Sequence, residues 1–353
     1  MAAGTGGHIF PGLTIARTMR DKGWQVSWLG TKHGMEAQLV QAQGVDFDSV
    51  DFAGMRGKGL LHTAVGSIRL LTSIAACLNI MRRRRPDLVL GMGGYVTVPG
   101  GFASRAFGIP LVLVNADAGL LLSNRTLLPM AKRVFFGLPS DPAVMTEKGI
   151  LTGNPVRPEI TALPEPKLRY EQRSGPLNLL VIGGSLGAQA LNECVPYALA
   201  KLAPDIRPKV THQTGKEHSA LVRKAYSNLG VEADVVEFIE DMASHYAATD
   251  LVICRAGAIT VSELAAAGLA GILVPYITST TAHQRDNATW MTAHRAAIHL
   301  PQKELSPDYL ATLLRTMSRE DCLAMAVAAY AVGKRDANTH IAQELEKLVD
   351  GKN

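Results

Sequence analysis

The feature that most limits the fold is a repeated succession of a short apolar run, a glycine-rich turn and a helix-like run. The turns are Gly4-Thr5-Gly6-Gly7-His8, Gly91-Met92-Gly93-Gly94-Tyr95 with Pro99-Gly100-Gly101 beyond it, Gly183-Gly184-Ser185-Leu186-Gly187-Ala188, and Arg255-Ala256-Gly257-Ala258. Strand and helix in alternation build βα units on a parallel sheet, and such sheets bind ligands beyond the carboxyl ends of their strands. Glycine lets backbone N–H groups approach a ligand, and a helix start carries partial positive charge. The first turn lacks the G-x-G-x-x-G spacing, because Ile9 stands where the third glycine belongs, so a dinucleotide oxidoreductase is a poor match. Only Met1 to Ala3 precede that turn, too few for the usual buried strand; either the sequence starts late or the first strand has been lost.

The rest of the first half reads as helices over 11–22 and 36–43 and strands over 25–29, 45–50, 87–90, 110–114 and 133–136. A polar, proline-rich stretch over 158–176 has linker composition. A second α/β series follows, with strands over 177–182, 209–212, 234–238, 251–254 and 270–274 and a helix from about Gln189. The fold expected is α/β, two Rossmann-like domains over 1–156 and 157–335, with a closing segment, 336–353, whose helix (339–349) is a candidate to pack back on the first domain. A chain of 353 residues suits two domains, and 47% apolar residues give each a core.

A net charge of +5 with only 5% aromatics argues against a nucleic-acid partner. Four cysteines without a C-x-x-C pair argue against a zinc site or disulfide framework and fit a reducing cytoplasm. No apolar run reaches the ~18 residues of a spanning helix, and there is no signal peptide.

Several residues carry candidate chemistry. His8 at a helix start either makes a local hydrogen bond or contacts substrate. Ser185 either caps the following helix or donates to a phosphate. Cys254 to Glu263 is the richest stretch: strand end, glycine turn, helix start, then a carboxylate. The helix-start amides can hold a diphosphate and Glu263 can accept from a ribose diol, or Glu263 simply favours the positive helix end. Asp46-Phe47-Asp48 spells the D-x-D of some metal-binding transferases, yet it sits in an extended run where both aspartates fall on a solvated face, so no metal is assigned. Leu70 to Met81, ending in Arg82-Arg83-Arg84-Arg85, is either an apolar helix suited to an anionic membrane surface or a buried helix with a basic end.

Taken in order, Gly4-Thr5-Gly6-Gly7-His8-Ile9-Phe10-Pro11-Gly12, Arg56-Gly57-Lys58-Gly59, Gly91-Met92-Gly93-Gly94-Tyr95, Gly153-Asn154-Pro155-Val156-Arg157, Gly183-Gly184-Ser185 and Gly257 to Glu263 resemble the MurG family, the N-acetylglucosaminyltransferases of peptidoglycan synthesis. The likeness spans nearly the whole chain. It implies a GT-B fold, two Rossmann-like domains with a deep interdomain cleft. It implies inverting transfer of N-acetylglucosamine from UDP-GlcNAc to the muramyl C4 hydroxyl of lipid I, giving lipid II, with no cofactor. The acceptor's polyprenyl chain implies peripheral docking on the cytoplasmic face of the bacterial membrane. Carried over by position, the resemblance puts Thr5, Gly6 and Gly7 beside the donor, and Arg157 and Ser185 on it. Ile239 meets the uracil, Ala258, Ile259, Thr260, Val261, Ser262 and Glu263 form the diphosphate and ribose site, and Gln284 contacts the donor. His8 is a candidate for acceptor positioning or proton transfer.

The chain departs from the family pattern in places. Where the family has His-Glu-Gln-Asn, this sequence has Val114-Asn115-Ala116-Asp117, so the candidate base is Asn115, which accepts no proton at neutral pH. Asp117 aligns with the family Asn and, by alternation along an extended segment, faces the same side as Asn115 as a substitute acid–base group. Thr281-Ala282 replaces an acidic pair, and Leu186 replaces a glutamine. The alternatives are a UDP-GlcNAc-binding homologue with little turnover, a GT-B lipid glycosyltransferase with another acceptor, or a UDP-GlcNAc 2-epimerase.

Overall fold

The computed structural model describes residues 1–4, 6–52, 60–140, 145, 147–184, 187–277 and 283–351, without side chains for 60–65. The chain divides into two compact units, one of Met1–Val156 with Asp336–Asn353 and one of Arg157–Arg335.

In the first unit, β1 (Ser27–Thr31) and β2 (Asp46–Val50) pair in parallel, and β3 (Val89–Gly91), β4 (Leu111–Asn115), β5 (Arg133–Phe136) and β6 (Gly149–Leu151) form a parallel sheet in that order. The helices are α1 (Gly6–Asp21), α2 (Met35–Ala42), α3 (Leu60–Arg84), α4 (Thr97–Ala106) and α5 (Leu122–Leu127). Side chains alternate across β4. Leu111 and Leu113 join one core with Cys77, Met81 and Val96, and Val112 and Val114 join the other with Ile9, Ile15 and Trp28. The strand is buried on both faces and is apolar from Leu111 to Val114.

Met1 to Ala3 form no strand of their own, but they lie between the two sets of strands and hydrogen-bond to both. The Met1 amine donates to Leu90 O (2.7 Å), Met92 N donates to Met1 O (2.9 Å), and Ala2 N donates to Leu29 O (3.2 Å). Trp28 Nε1 adds a bond to Ala2 O at 3.1 Å. Three residues are too few to show a period in sequence, but their backbone pairs with Leu29 of β1 and with Leu90 and Met92 at β3. Burial pushes the Met1 amine down to about 5.

The second unit holds a six-stranded parallel sheet. Its strands are β7 (Asn178–Ile182), β8 (Lys209–Gln213), β9 (Asp234–Val236), β10 (Leu251–Cys254), β11 (Ala270–Leu273) and β12 (Ala297–His299), in the spatial order β12-β11-β10-β7-β8-β9. The order reverses between β7 and β10, so their carboxyl ends mark the place where such sheets take ligands. The helices are α6 (Pro158–Thr161), α7 (Pro166–Tyr170), α8 (Gln189–Ala200), α9 (Ser219–Asn228), α10 (Met242–Ala248), α11 (Ala258–Ala267), α12 (His283–Ala293), α13 (Pro307–Thr316) and α14 (Arg319–Val332).

The stretch with linker composition is not a linker. It forms α6 and α7 and is fastened to this unit by its own polar groups. Arg169 donates to the carbonyls of Tyr246, Ala267 and Gly268, Arg173 donates to Thr249 O (2.7 Å) and pairs with buried Asp250 (2.5 Å), and Tyr170 Oη donates to Asp250 O (2.8 Å). Composition misleads here because arginines that satisfy carbonyls at helix ends look like solvated charge in a sequence. Finally α15 (Ala337–Asp350) belongs to the first unit. Its Ile341, Ala342 and Leu345 enter the core with Ile9 and Ile15, Lys22 pairs with Glu346 at 3.0 Å, and Asn338 donates to Val156 O at 2.8 Å.

Candidate functional site

In the second unit β10 ends at Cys254, three residues turn, and α11 begins at Ala258. No side-chain hydrogen bond caps α11 at Gly257. The amides of Ala258, Ile259 and Thr260 therefore form the positive end of the helix, where an anionic group is favoured. The turn is held from below by Asn287, whose Nδ2 donates to Ala256 O at 3.0 Å. Val261 has no exposed surface and its N–H donates to Gly257 O, so it shapes the turn from the core side. Ser262 is buried one residue on.

Glu263 lies a further step into α11 and is buried. Arg157, just ahead of α6, donates to its Oε1 from Nη2 (2.9 Å) and Nε (3.2 Å), and Tyr246 Oη on α10 donates to its Oε2 (3.1 Å). Burial pushes this carboxyl up, while the Arg157 charge and the three donated hydrogen bonds work the other way. The Tyr246 phenol is itself pushed far above the ordinary tyrosine range by burial, so it acts only as a donor.

Two further segments are tied to the same sheet. Gln213, at the end of β8, donates from Nε2 to Gly184 O (3.0 Å) and accepts from Ile239 N (3.2 Å). It thereby joins the glycine turn after β7 to the Phe238-Ile239 segment, in which Ile239 is buried and Phe238 is half exposed. Gly187 closes the turn with φ +77, and a Cβ there would strike Thr214 O. Gln284 on α12 accepts from Tyr276 N at 2.8 Å. Thr5, Ser185, Leu186, the segment Arg56-Gly57-Lys58-Gly59 and Thr281-Ala282 lie outside the described residues.

In the first unit Gly6, Gly7 and His8 form the opening turn of α1. The His8 ring rests on Gly93, whose φ is +104 and whose Cβ, were there one, would come within 2.8 Å of the ring. His8 Nδ1 is buried without a hydrogen-bond partner. Burial pushes the imidazole below its ordinary value, and the Asp117 charge and the Met92 backbone oppose that shift. The Asp117 charge thus acts on His8, a relation that an alternating reading of 115–117 alone does not reveal.

Asn115 does something other than what the family comparison implied. It is fully buried. Its Nδ2 donates to Asp117 O (2.8 Å) and Gly119 O (3.0 Å), and its Oδ1 accepts from Leu121 N (3.0 Å) and Asn124 Nδ2 (3.1 Å). All the bonding capacity of the amide nitrogen is used in folding the loop that carries Asp117. Asn154 braces this loop from β6's side by donating to Ala116 O at 2.9 Å.

The D-x-D segment also differs from expectation. Asp46 is exposed but Asp48 is buried. Arg84 donates to Asp48 Oδ2 (2.8 Å) and Asp46 Oδ2 (2.6 Å), and Arg83 pairs with Asp48 Oδ1. These carboxylates neutralise arginines at the end of α3, a contact that strand alternation has no means of showing. Among the described residues no cluster of three or more His, Cys, Asp or Glu has the arrangement of a metal site.

Tyr246, Gln213 and Asn287 escape a reading of the sequence. Asn287 stands three residues after Gln284, which the resemblance puts on the donor. Tyr246 and Gln213 carry no motif, and only a buried polar side chain among apolar neighbours marks them.

Comparison with known proteins agrees with this geometry. Residues 1–136 match the Glycosyltransferase family 28 N-terminal domain, and residues 178–345 match the Glycosyltransferase family 28 C-terminal domain. The chain is 62% identical, over 99% of its length and 98% of the relative's, to a UDP-N-acetylglucosamine–N-acetylmuramyl-(pentapeptide) pyrophosphoryl-undecaprenol N-acetylglucosamine transferase of Janthinobacterium sp. strain Marseille. It is 60% identical, with the same coverage, to the enzyme of that name from Herminiimonas arsenicoxydans. Among solved structures, Acinetobacter baumannii MurG superposes with a TM-score of 0.83 at 35% identity, covering 98% of each chain. The two α/β units with their parallel sheets are the two halves of a GT-B fold, and the chain belongs to the MurG family of N-acetylglucosaminyltransferases within glycosyltransferase family 28.

Proposed function

We propose that this chain transfers N-acetylglucosamine from UDP-GlcNAc to the muramyl C4 hydroxyl of lipid I, yielding lipid II with inversion. The observation that carries the donor half is Glu263, a buried carboxylate fixed beside the uncapped start of α11. Helix-start amides suit a diphosphate, and a carboxylate one and a half turns on suits a ribose diol. Ile239 and its neighbours supply the surface for the uracil, with Arg157, Ser185 and Gln284 as further donor contacts. The acceptor oxygen attacks the anomeric carbon, the bond to the diphosphate breaks, and the negative charge that develops on UDP is met by the α11 amides.

His8 takes the proton of the attacking hydroxyl. A buried imidazole whose proton affinity is lowered is neutral at neutral pH, as a general base must be. Asp117 stabilises the imidazolium that forms. Asn115 does not speak for a merely donor-binding protein, because it serves the loop and not the reaction.

We also assign the acceptor's membrane to the first unit. Ile68 and Leu71 on α3 are 62% and 67% exposed, and Leu122 at the start of α5 is 77% exposed; α4 packs on both helices and ends at exposed Phe107. Arg82 and Arg85 lie at the end of α3, while Arg83 and Arg84 are engaged by Asp48. Such a surface fits peripheral docking on the cytoplasmic leaflet. Among the described residues no helix is long and apolar enough to cross a membrane.

The assay is UDP release in the presence and absence of lipid I. Release that depends on lipid I, with lipid II as product, is expected; release that ignores the acceptor sinks the reading.

A further inference from the structure

We propose that Tyr246 is a positioning residue that sets the enzyme's recognition of the donor ribose, by fixing the carboxylate of Glu263 in the rotamer and ionisation state that accept a diol. The inference rests on the reading of Glu263 as the ribose contact.

A carboxylate receives two vicinal hydroxyls only when it is ionised and when its oxygens are turned outward. Neither condition is automatic at a site this buried, where burial favours the neutral acid. Arg157 and Tyr246 meet the two conditions in different ways. Arg157 places two N–H groups on one oxygen, Oε1. Its side chain is about one-third exposed, so it keeps freedom to turn toward an incoming anion. Tyr246 is 1% exposed, wholly surrounded, and has its hydroxyl on the other oxygen, Oε2, at 3.1 Å. The permanent constraint on the carboxylate therefore comes from the tyrosine. An ionised carboxyl offers about four acceptor positions; these donors take three of them, so room for both hydroxyls of a diol opens when Arg157 turns away while the Tyr246 bond stays in place.

The location adds a second argument. Tyr246 stands on α10, which begins at Met242, three residues after Ile239. The segment read as meeting the base thus leads directly into the helix that clamps the sugar's carboxylate. Arg169 fastens the same turn by donating to Tyr246 O (3.1 Å) and to the carbonyls at the end of α11. Base and ribose recognition are carried by one braced unit.

The test compares UDP-GlcNAc with its 2′-deoxyribose analogue on the full-length enzyme, with lipid I as acceptor. For Tyr246→Phe, KM for UDP-GlcNAc should rise about tenfold while kcat changes by less than about threefold. The preference for ribose over deoxyribose in kcat/KM should fall by about the same factor, because a wandering carboxylate no longer distinguishes one hydroxyl from two. The acid limb of kcat/KM should move to higher pH, since Glu263 has lost a donor that favours its ionised form. A merely structural tyrosine would lower the melting temperature and leave the ribose preference and the acid limb in place, and that outcome overturns the proposal. Tyr246→Met, which lacks the hydroxyl and packs adaptably, is the second variant should Phe fail to fold, and its preference must move the same way. Glu263→Gln separates the two layers. If it abolishes the preference and the Tyr246 variants do not, the role of Tyr246 fails. If it leaves the preference intact, the ribose reading of Glu263 fails and the proposal with it.

Discussion

The Glu263 cluster and the His8 corner solve opposite problems with the same materials. Around Glu263 the polar groups are mutually satisfied before any ligand arrives: Arg157 and Tyr246 take the carboxylate, Gln213 ties two loops, and Asn287 holds the turn. Around His8 a ring nitrogen is buried with no partner, above a glycine that leaves room for the ring and nothing more. A site whose task is to hold a ligand gains from preorganisation, since groups already fixed lose little freedom on binding. A site that must take up a proton gains from a base whose charged form is not yet stabilised, so that stabilisation appears only as the reaction proceeds. On the proposed function, the second unit is built to bind and the first to react.

The largest effect should come from breaking the reactive side. His8→Ala should lower kcat by about 10²–10⁴-fold with KM for UDP-GlcNAc little changed, measured by steady-state UDP release. If KM rises and kcat holds, His8 belongs to binding and the contrast fails. The wild-type pH profile sharpens the same point. The His8 value lies below that of an ordinary histidine, so the base form persists as pH falls, and kcat should decline only on the acid side of about 6.5.

Breaking the binding side should cost less and in the other parameter. Glu263→Ala leaves Arg157 and the Tyr246 hydroxyl without their shared acceptor and should lower kcat/KM about 10–100-fold, chiefly through KM, with weaker UDP binding by calorimetry. A kcat effect of the size expected for His8 would erase the distinction between the two regions.

A third variant tests the loop between them in character. Asn115→Asp keeps the shape, loses donation to Asp117 O and Gly119 O, and buries a charge against two carbonyls. It should destabilise the protein by about 2–4 kcal/mol in denaturant unfolding and raise no activity. A gain in kcat would restore position 115 as a site for the base. The smallest effect concerns the surface. Ile68→Glu with Leu71→Glu should weaken binding to anionic vesicles several-fold at low salt and less at high salt, because the charge contribution is screened.

The parallel-sheet halves were legible because strands such as Val89–Gly91 and Leu251–Cys254 are apolar and are followed by glycine turns. The stretch over 158–176 was misread because its arginines satisfy carbonyls distant in sequence. Asp46 and Asp48 were misread because their partners lie more than thirty residues away on α3. The backbone bonds of Met1 to Ala3 to both sets of strands leave no sign in the sequence, because three residues have no periodicity. At the site, Glu263 and the α11 start were visible as a local pattern, whereas Tyr246 and Gln213 were not, since a buried hydrogen bond between elements leaves no spacing behind.

The sequence by itself determined the order of βα units, the glycine turns that let backbone approach a phosphate, and the family, because these depend on neighbours along the chain. The tertiary structure decided what each polar side chain is for. Asn115 became a loop brace and the D-x-D aspartates became partners of arginine. Tyr246 became a clamp on Glu263, and His8 was left with an unsatisfied nitrogen. The physical reason is that a buried polar group is defined by its partner, and partners are chosen by packing between elements that the order of residues does not specify.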